Sequence, residues 1–154
     1  MGPDDDPLEI NRHVIEAFRY GGEIPGMHRD RLLLLTTRGR RTGQERTAPM
    51  MFVPPGPDLE GGAGDGRRLV VASGNGSPHD PAWFRNLVAD PSVHVEVDGG
   101  DGTEAYDATA RVLAGDERDR EWERLVASYP FFAEHAERAG REIPLVVLEP
   151  APAR

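Results

Sequence analysis

The sequence predicts a mainly β protein: a small antiparallel barrel, closed or partly closed, with helices packed on its outside, in the α+β class. Three observations lead there. About six short segments are either continuously apolar or alternate with a period of two, the signature of strands. Several are joined by Gly-rich turns that suit hairpins. No regular strand–helix–strand alternation occurs, so a parallel sheet is not expected.

The elements follow in order. Leu8 to Tyr20 reads as an amphipathic helix, with Ile10, Val14 and Phe18 at i, i+4 and i+8, Ile15 beside them, and Gly21-Gly22 ending it. Arg31 to Arg38 holds four leucines and two threonines, a strand buried on both faces or nearly so. The GRRTG run, 39–43, is the turn, and Glu45 to Val53 is the returning strand, with Pro49 marking an edge or a bulge. Pro54 to Gly66 is Gly/Pro-rich without periodicity, hence a loop. Arg68 to Ser73 is a third strand. Asp80-Pro81 reads as N-cap and first helical residue of a helix to about Ala89, with Leu87, Val88 and either Trp83 or Phe84 facing the core. Val93 to Val97 alternates cleanly, DGGDG is a tight loop, and Thr103 to Leu113 is the partner strand. Asp116 to Ser128 is helical, Pro130 breaks it, Phe131 to Ala139 continues as helix, and Ile143 to Leu148 is the last strand. A chain of 154 residues suits a single domain. Residues 1–30 form an N-terminal helix and lead-in, and 31–150 the barrel domain.

Composition excludes several chemistries. With no cysteine, disulfides, thiolate metal sites and cysteine nucleophiles are out. All 18 basic residues are arginine, which removes Schiff-base lysine chemistry. The five histidines are scattered without ligand-like spacing, so no metal site is expected. No stretch approaches the length of a membrane-spanning helix, and the acidic N-terminus lacks a signal-peptide core. The cytosol is the simplest placement. Peripheral membrane association through the first helix ranks last, because that helix lacks a basic polar face.

Charge distribution is the most informative feature. The run from Arg38 to Arg46, RGRRTGQER, sets four arginines against one glutamate, +3, in a chain of net charge −9, so the remainder carries −12. A cationic island on a hairpin tip can present guanidinium forks and backbone N–H groups to a compact polyanion. A solvated tip is the competing reading. Nucleic acid is not an expected partner, since such domains are basic overall. A second motif, SGNGSPHDPAW from Ser73, ends a strand in small residues and opens a helix, where glycines allow a ligand close to the backbone. A third, SYPFFAEH, puts Tyr129, Phe132 and His135 three apart on one face. They could cover a planar ligand or fill the core.

Taken together, LLLLTTRGRRTGQERTAPMMF, LVVASGNGSPHDPAWFRNLVADPSVHVEV and LVASYPFFAEHAERAGREIPLVVLEP resemble the deazaflavin-dependent nitroreductase family, from about Leu32 to Pro150. These are split-β-barrel oxidoreductases that use coenzyme F420. The resemblance implies that Arg40, Arg41 and Arg46 bind the cofactor's phosphate and oligoglutamate tail, with Thr42 and Gly43 completing the turn. It implies that Pro49 and Met50 lie beside the deazaflavin ring, that Ser73, Gly74, Asn75 and Gly76 follow its edge, and that Ala82, Trp83 and Asn86 line the cofactor. Met51, Tyr129, Phe132 and His135 then cover the acceptor. Some members with nitro-drug activity carry tyrosine where this chain has Met51, Phe132 and His135, and a basic residue where it has Gly74, so this pocket has fewer phenols. The implied reaction is hydride transfer from reduced deazaflavin to a quinone, enone or nitroaromatic. Tyr129 or Ser73 is the candidate to give a proton or polarise a carbonyl. A non-catalytic deazaflavin carrier, and a barrel using FMN, are the alternatives. The protein could be a monomer or a homodimer.

Overall fold

The structure is a computed structural model that describes residues 7–20, 31–54, 67–73, 78–98 and 103–151. The Gly21-Gly22 stop, most of the 54–66 loop, Gly74 to Gly76, most of the DGGDG loop and the Ile10 side chain lie outside the described residues. The elements are α1 (Pro7–Tyr20), β1 (Leu32–Arg38), β2 (Glu45–Val53), β3 (Arg68–Val71), α2 (Ala82–Ala89), β4 (Ser92–Asp98), β5 (Thr103–Val112), α3 (Gly115–Ser128), α4 (Phe131–Ala139) and β6 (Leu145–Pro150). The six strands close into a barrel in the order β1-β2-β3-β6-β5-β4, every pairing antiparallel.

Strand alternation sorts the core into inside and outside. Leu33 and Leu35 of β1 point inward with Val93, Val95 and Val97 of β4, Ala108 and Ala110 of β5, and Val146 and Leu148 of β6. Leu32 and Leu34 point outward and are buried because α1 covers them with Phe18, Val14 and Ile15. That is why the leucine run is unbroken rather than alternating: β1 is covered on both faces. Phe18 is fully buried. Arg19 fixes the helix further, its Nε and Nη2 donating to both carboxylate oxygens of Glu96 at 2.9 and 2.7 Å. On the opposite outer face, α3 and α4 bring Leu125 and Phe132 against Val53, Leu69, Leu145 and Val147.

The two barrel ends are closed differently. At the end marked by Thr37 and Arg46, α2 sets Leu87, Trp83 and Phe84 on the interior cluster. At the other end the Arg68 guanidinium lies over the rings of Phe52 and Tyr106, 5.1 and 5.7 Å from their centroids, and donates to the Tyr106 hydroxyl at 2.9 Å. A guanidinium is weakly enough hydrated to plug an aromatic barrel mouth in this way.

Three local expectations fail. Val88 is 60% exposed and not a core residue. On a helix of eight residues, Leu87 and Trp83 already fix the inward face, and Val88 lies 100° from Leu87. Asp80 is not the N-cap of α2. Pro81 holds that position with extended backbone (φ −61°, ψ 152°) and no side-chain cap, because the Asp80 carboxylate is drawn away to Arg141. The last strand also begins two residues late, at Leu145, with Ile143 wholly buried ahead of it.

Candidate active site

The barrel has a short seam. β2 meets β3 only at Phe52↔Val70 and Val53↔Leu69, although β2 begins at Glu45. Beyond Val71 the chain follows β6 instead, Ala72 N–H donating to the Pro144 carbonyl at 3.0 Å. The edge of β2 from Glu45 to Met51 therefore has no strand partner on its β3 side among the described residues. Pro49 sits in this edge, the position expected of a strand proline. The parted strands are where this barrel is split, and Pro49, Met50 and Met51 stand on the parted edge.

At one end of the seam stands the cationic hairpin. Gly39 N–H donates to the Gln44 carbonyl at 2.7 Å, Gly43 N–H to the Gly39 carbonyl at 2.8 Å, and Gln44 N–H to Thr42 Oγ1 at 3.2 Å. Gly43 has φ +76°, the left-handed region that a side chain disfavours. Arg40 is tied inward: its backbone N–H and its Nη1 both donate to Asn86 Oδ1, at 3.3 and 3.1 Å. Asn86, buried at the middle of α2, also donates through Nδ2 to Thr37 Oγ1 at 3.1 Å. One buried amide thus staples the turn to α2 and to β1. Arg41 and Arg46 differ: both are exposed and neither side chain has a partner among the described residues.

Alternation along β2 divides its methionines. Met50 joins the interior cluster with Trp83, while Met51 joins the outer cluster with Tyr129 and Phe132. Met50 and Met51 therefore lie on opposite faces of the strand, and Pro49, two residues before Met51, shares the Met51 face. Phe132 lies edge-on to Tyr129 (centroids 6.3 Å) and to His135 (5.9 Å), so the three aromatic positions form one group. The Tyr129 hydroxyl accepts from Arg31 Nη1 at 3.1 Å. That bond fills an oxygen lone pair and leaves the phenolic hydrogen to be donated elsewhere. A cleft of about 130 Å³ opens beside Tyr129, lined also by Pro54, Glu121, Arg124 and Ser128. Ala82 is exposed at the start of α2. Ser73 is buried at the end of the β3 chain, its carbonyl held by Arg141, and Gly74, Asn75 and Gly76 lie outside the described residues.

Sequence reasoning missed Arg31, Glu121 and Arg141. None belongs to a motif that the sequence singles out, and a lone arginine, or a glutamate within the charged run 116–124, carries no signal until the fold gives it a neighbour.

A sequence profile of the F420H(2)-dependent quinone reductase family matches residues 10–150. The chain belongs to that family. It is an F420-dependent oxidoreductase on a split barrel, as the resemblance implied. An F420H(2)-dependent quinone reductase of Mycobacterium tuberculosis is 32% identical over 133 residues, covering 84% of this chain and 79% of the relative. A solved F420-H2 dependent reductase, FDR-A, is 35% identical, covers 80% of this chain and all of its own, and superposes with a TM-score of 0.60. Another solved relative, described as a domain-swapped dimer, is 33% identical, covers 96% of this chain and all of its own, with a TM-score of 0.62. No helix among the described residues is long and apolar enough to cross a membrane. No group of metal-ligating side chains occurs among them.

The residues fit F420. Its phosphate and glutamate carboxylates need free cationic forks, and Arg41 and Arg46, exposed and without a partner among the described residues, offer them in a chain of net charge −9. Its flat ring needs a backbone edge to lie beside, and β2 from Glu45 to Met51 has no strand partner on its β3 side among the described residues.

Proposed function

We propose that this protein carries reducing equivalents from F420H2 to a quinone, with the hairpin arginines holding the cofactor tail and Tyr129 serving the acceptor. When bound, the reduced cofactor supplies hydride from the carbon that replaces the reactive nitrogen of a flavin. The protein's part is binding, alignment and exclusion of water. Arg41 and Arg46 grip the phosphate and carboxylates, and Arg40, anchored by Asn86, sets the turn that aims them. Pro49 and Met50 border the ring from β2. Ser73 and the following residues border its edge. Met51, Phe132 and His135 form an apolar cover over the acceptor. Tyr129, its oxygen held by Arg31, delivers a proton to the carbonyl oxygen of the quinone as hydride arrives. We place the protein in the cytosol, meeting its acceptor as a small molecule.

The observation that carries this reading is the pair of exposed guanidiniums, without a partner among the described residues, on the hairpin at one end of the barrel seam in a family that uses F420. The test is steady-state oxidation of F420H2, followed by its absorbance, with menadione, an enone and a nitroaromatic as acceptors. Menadione turns over fastest on the account given. Absence of quinone turnover, with cofactor bound, would overturn the acceptor assignment and leave a carrier.

A further inference from the structure

One arginine far from the hairpin clamps both ends of the glycine motif. Arg141 lies just beyond α4, placed there by Gly140, whose left-handed backbone (φ 66°, ψ 26°) ends the helix. Its Nη1 donates to Asp80 Oδ1 at 2.8 Å. Its Nη2 stands among three backbone carbonyls: Ala72 at 3.2 Å, Ser73 at 3.3 Å and His79 at 3.2 Å. Two hydrogens serve three acceptors there, so at least one bond is shared. The side chain is only 16% exposed.

These partners come from two stretches of chain. Ala72 and Ser73 follow β3, whereas His79 and Asp80 lead into α2. Residues 74–77, the glycine-rich run between them, lie outside those described, yet the chain on either side is joined to a single guanidinium. A single guanidinium bonded to Ala72, Ser73, His79 and Asp80 fixes the end of the β3 chain relative to the lead into α2. Arg141 also belongs to the connection out of α4, which carries Phe132 and His135. One residue therefore ties the loop read as bordering the cofactor to the helix read as covering the acceptor.

We infer that Arg141 is a positioning residue for hydride transfer: it holds Ser73 at the end of the β3 chain and His79-Asp80 ahead of α2 at a fixed place relative to α4, and so sets the approach of cofactor ring to acceptor. This rests on the reading under the preceding heading. Arg141 touches neither reactant, so its removal should leave the tail-driven affinity for F420 nearly intact while slowing transfer. A displacement of about 1 Å between reacting centres costs on the order of a hundredfold in rate.

The experiment compares wild type, Arg141→Gln, Arg141→Lys and Asp80→Asn. The F420 dissociation constant comes from fluorescence titration, and the single-turnover rate of bound F420H2 with menadione from stopped-flow absorbance. Hydrogen exchange of the 72–80 amides is measured without cofactor. Arg141→Gln is expected to change affinity by less than about threefold but slow single turnover by roughly 10- to 100-fold, with faster exchange confined to 72–80. Arg141→Lys is not expected to rescue, because an ammonium is a point charge and cannot span the carboxylate and three carbonyls as a planar fork does. Asp80→Asn retains the carbonyl contacts and should fall between. Should Arg141→Gln fail to fold, the lysine and Asp80 variants decide. Single-turnover rates within twofold of wild type in Arg141→Lys and Asp80→Asn would overturn the inference. Wild type that binds no F420 overturns the functional reading instead, and the exchange data then judge the clasp alone.

Discussion

The hairpin arginines and Arg141 use the same chemical group in opposite ways. Arg41 and Arg46 are exposed and have no partner among the described residues, whereas Arg141 is largely enclosed and bonded to one carboxylate and three carbonyls. A guanidinium whose donors are already occupied cannot bind a ligand at useful strength, but it can fix the backbone that does. One left open in a chain of net charge −9 is costly to keep unless an anion arrives. Arg40 shares both characters, since Nη1 is engaged by Asn86 while the rest of the side chain remains exposed. Bonding within the protein thus separates the arginines proposed to hold a ligand from an arginine that holds the protein.

The largest expected effect tests the open pair. Changing Arg41 and Arg46 to Ala together should weaken F420 binding on the order of a hundredfold or more, from two charge-assisted contacts of roughly 1.5–3 kcal/mol each. Fluorescence titration measures this, while the denaturation midpoint should hardly move because neither guanidinium has a hydrogen-bond or ion-pair partner among the described residues. A large loss of stability would mean that the two groups are structural. Wild-type affinity should also drop as salt rises, and that slope should flatten in the double variant.

Tyr129→Phe comes next. Turnover with menadione should fall on the order of a hundredfold with F420 affinity unchanged, and Arg31→Gln should produce a smaller loss of the same kind. Unchanged turnover in the phenylalanine variant would remove Tyr129 from proton delivery.

Asn86→Leu breaks the staple between engaged and open arginines. Leaving Thr37 Oγ1 and the Arg40 N–H without their partner should cost about 1–3 kcal/mol in urea unfolding. The cofactor should bind several-fold more weakly as the turn loses its aim. If stability falls and affinity does not, Asn86 serves the fold only. Smallest of all, Arg19→Gln should cost under about 1 kcal/mol, since its partner pair is partly exposed. A larger loss there would show that α1 depends on the ion pair more than on Phe18.

Much of the fold could be read from the residues because strand periodicity and turn chemistry are local. The continuous leucines of β1 signalled burial on both faces, and α1 supplies the second cover. The hairpin was legible because its charge and glycines are consecutive. Asp80 misled, since the Asp-Pro pattern of a helix start was overridden by a long-range partner 61 residues away. Val88 misled because an apolar pair in a two-turn helix does not say which of its members turns inward. The Phe52–Arg68–Tyr106 plug and the Arg141 clasp were invisible for one shared reason: each joins residues distant in sequence, and only register across the closed barrel brings them together.

The central claim is that the open guanidiniums hold the charged end of the coenzyme. The most direct measurement is a paired titration of wild type with F420 and with the bare deazaflavin riboside, which lacks phosphate and glutamates. The account predicts a strong preference for F420 that collapses when Arg41 and Arg46 are alanine. Equal affinity of wild type for the two compounds would contradict it.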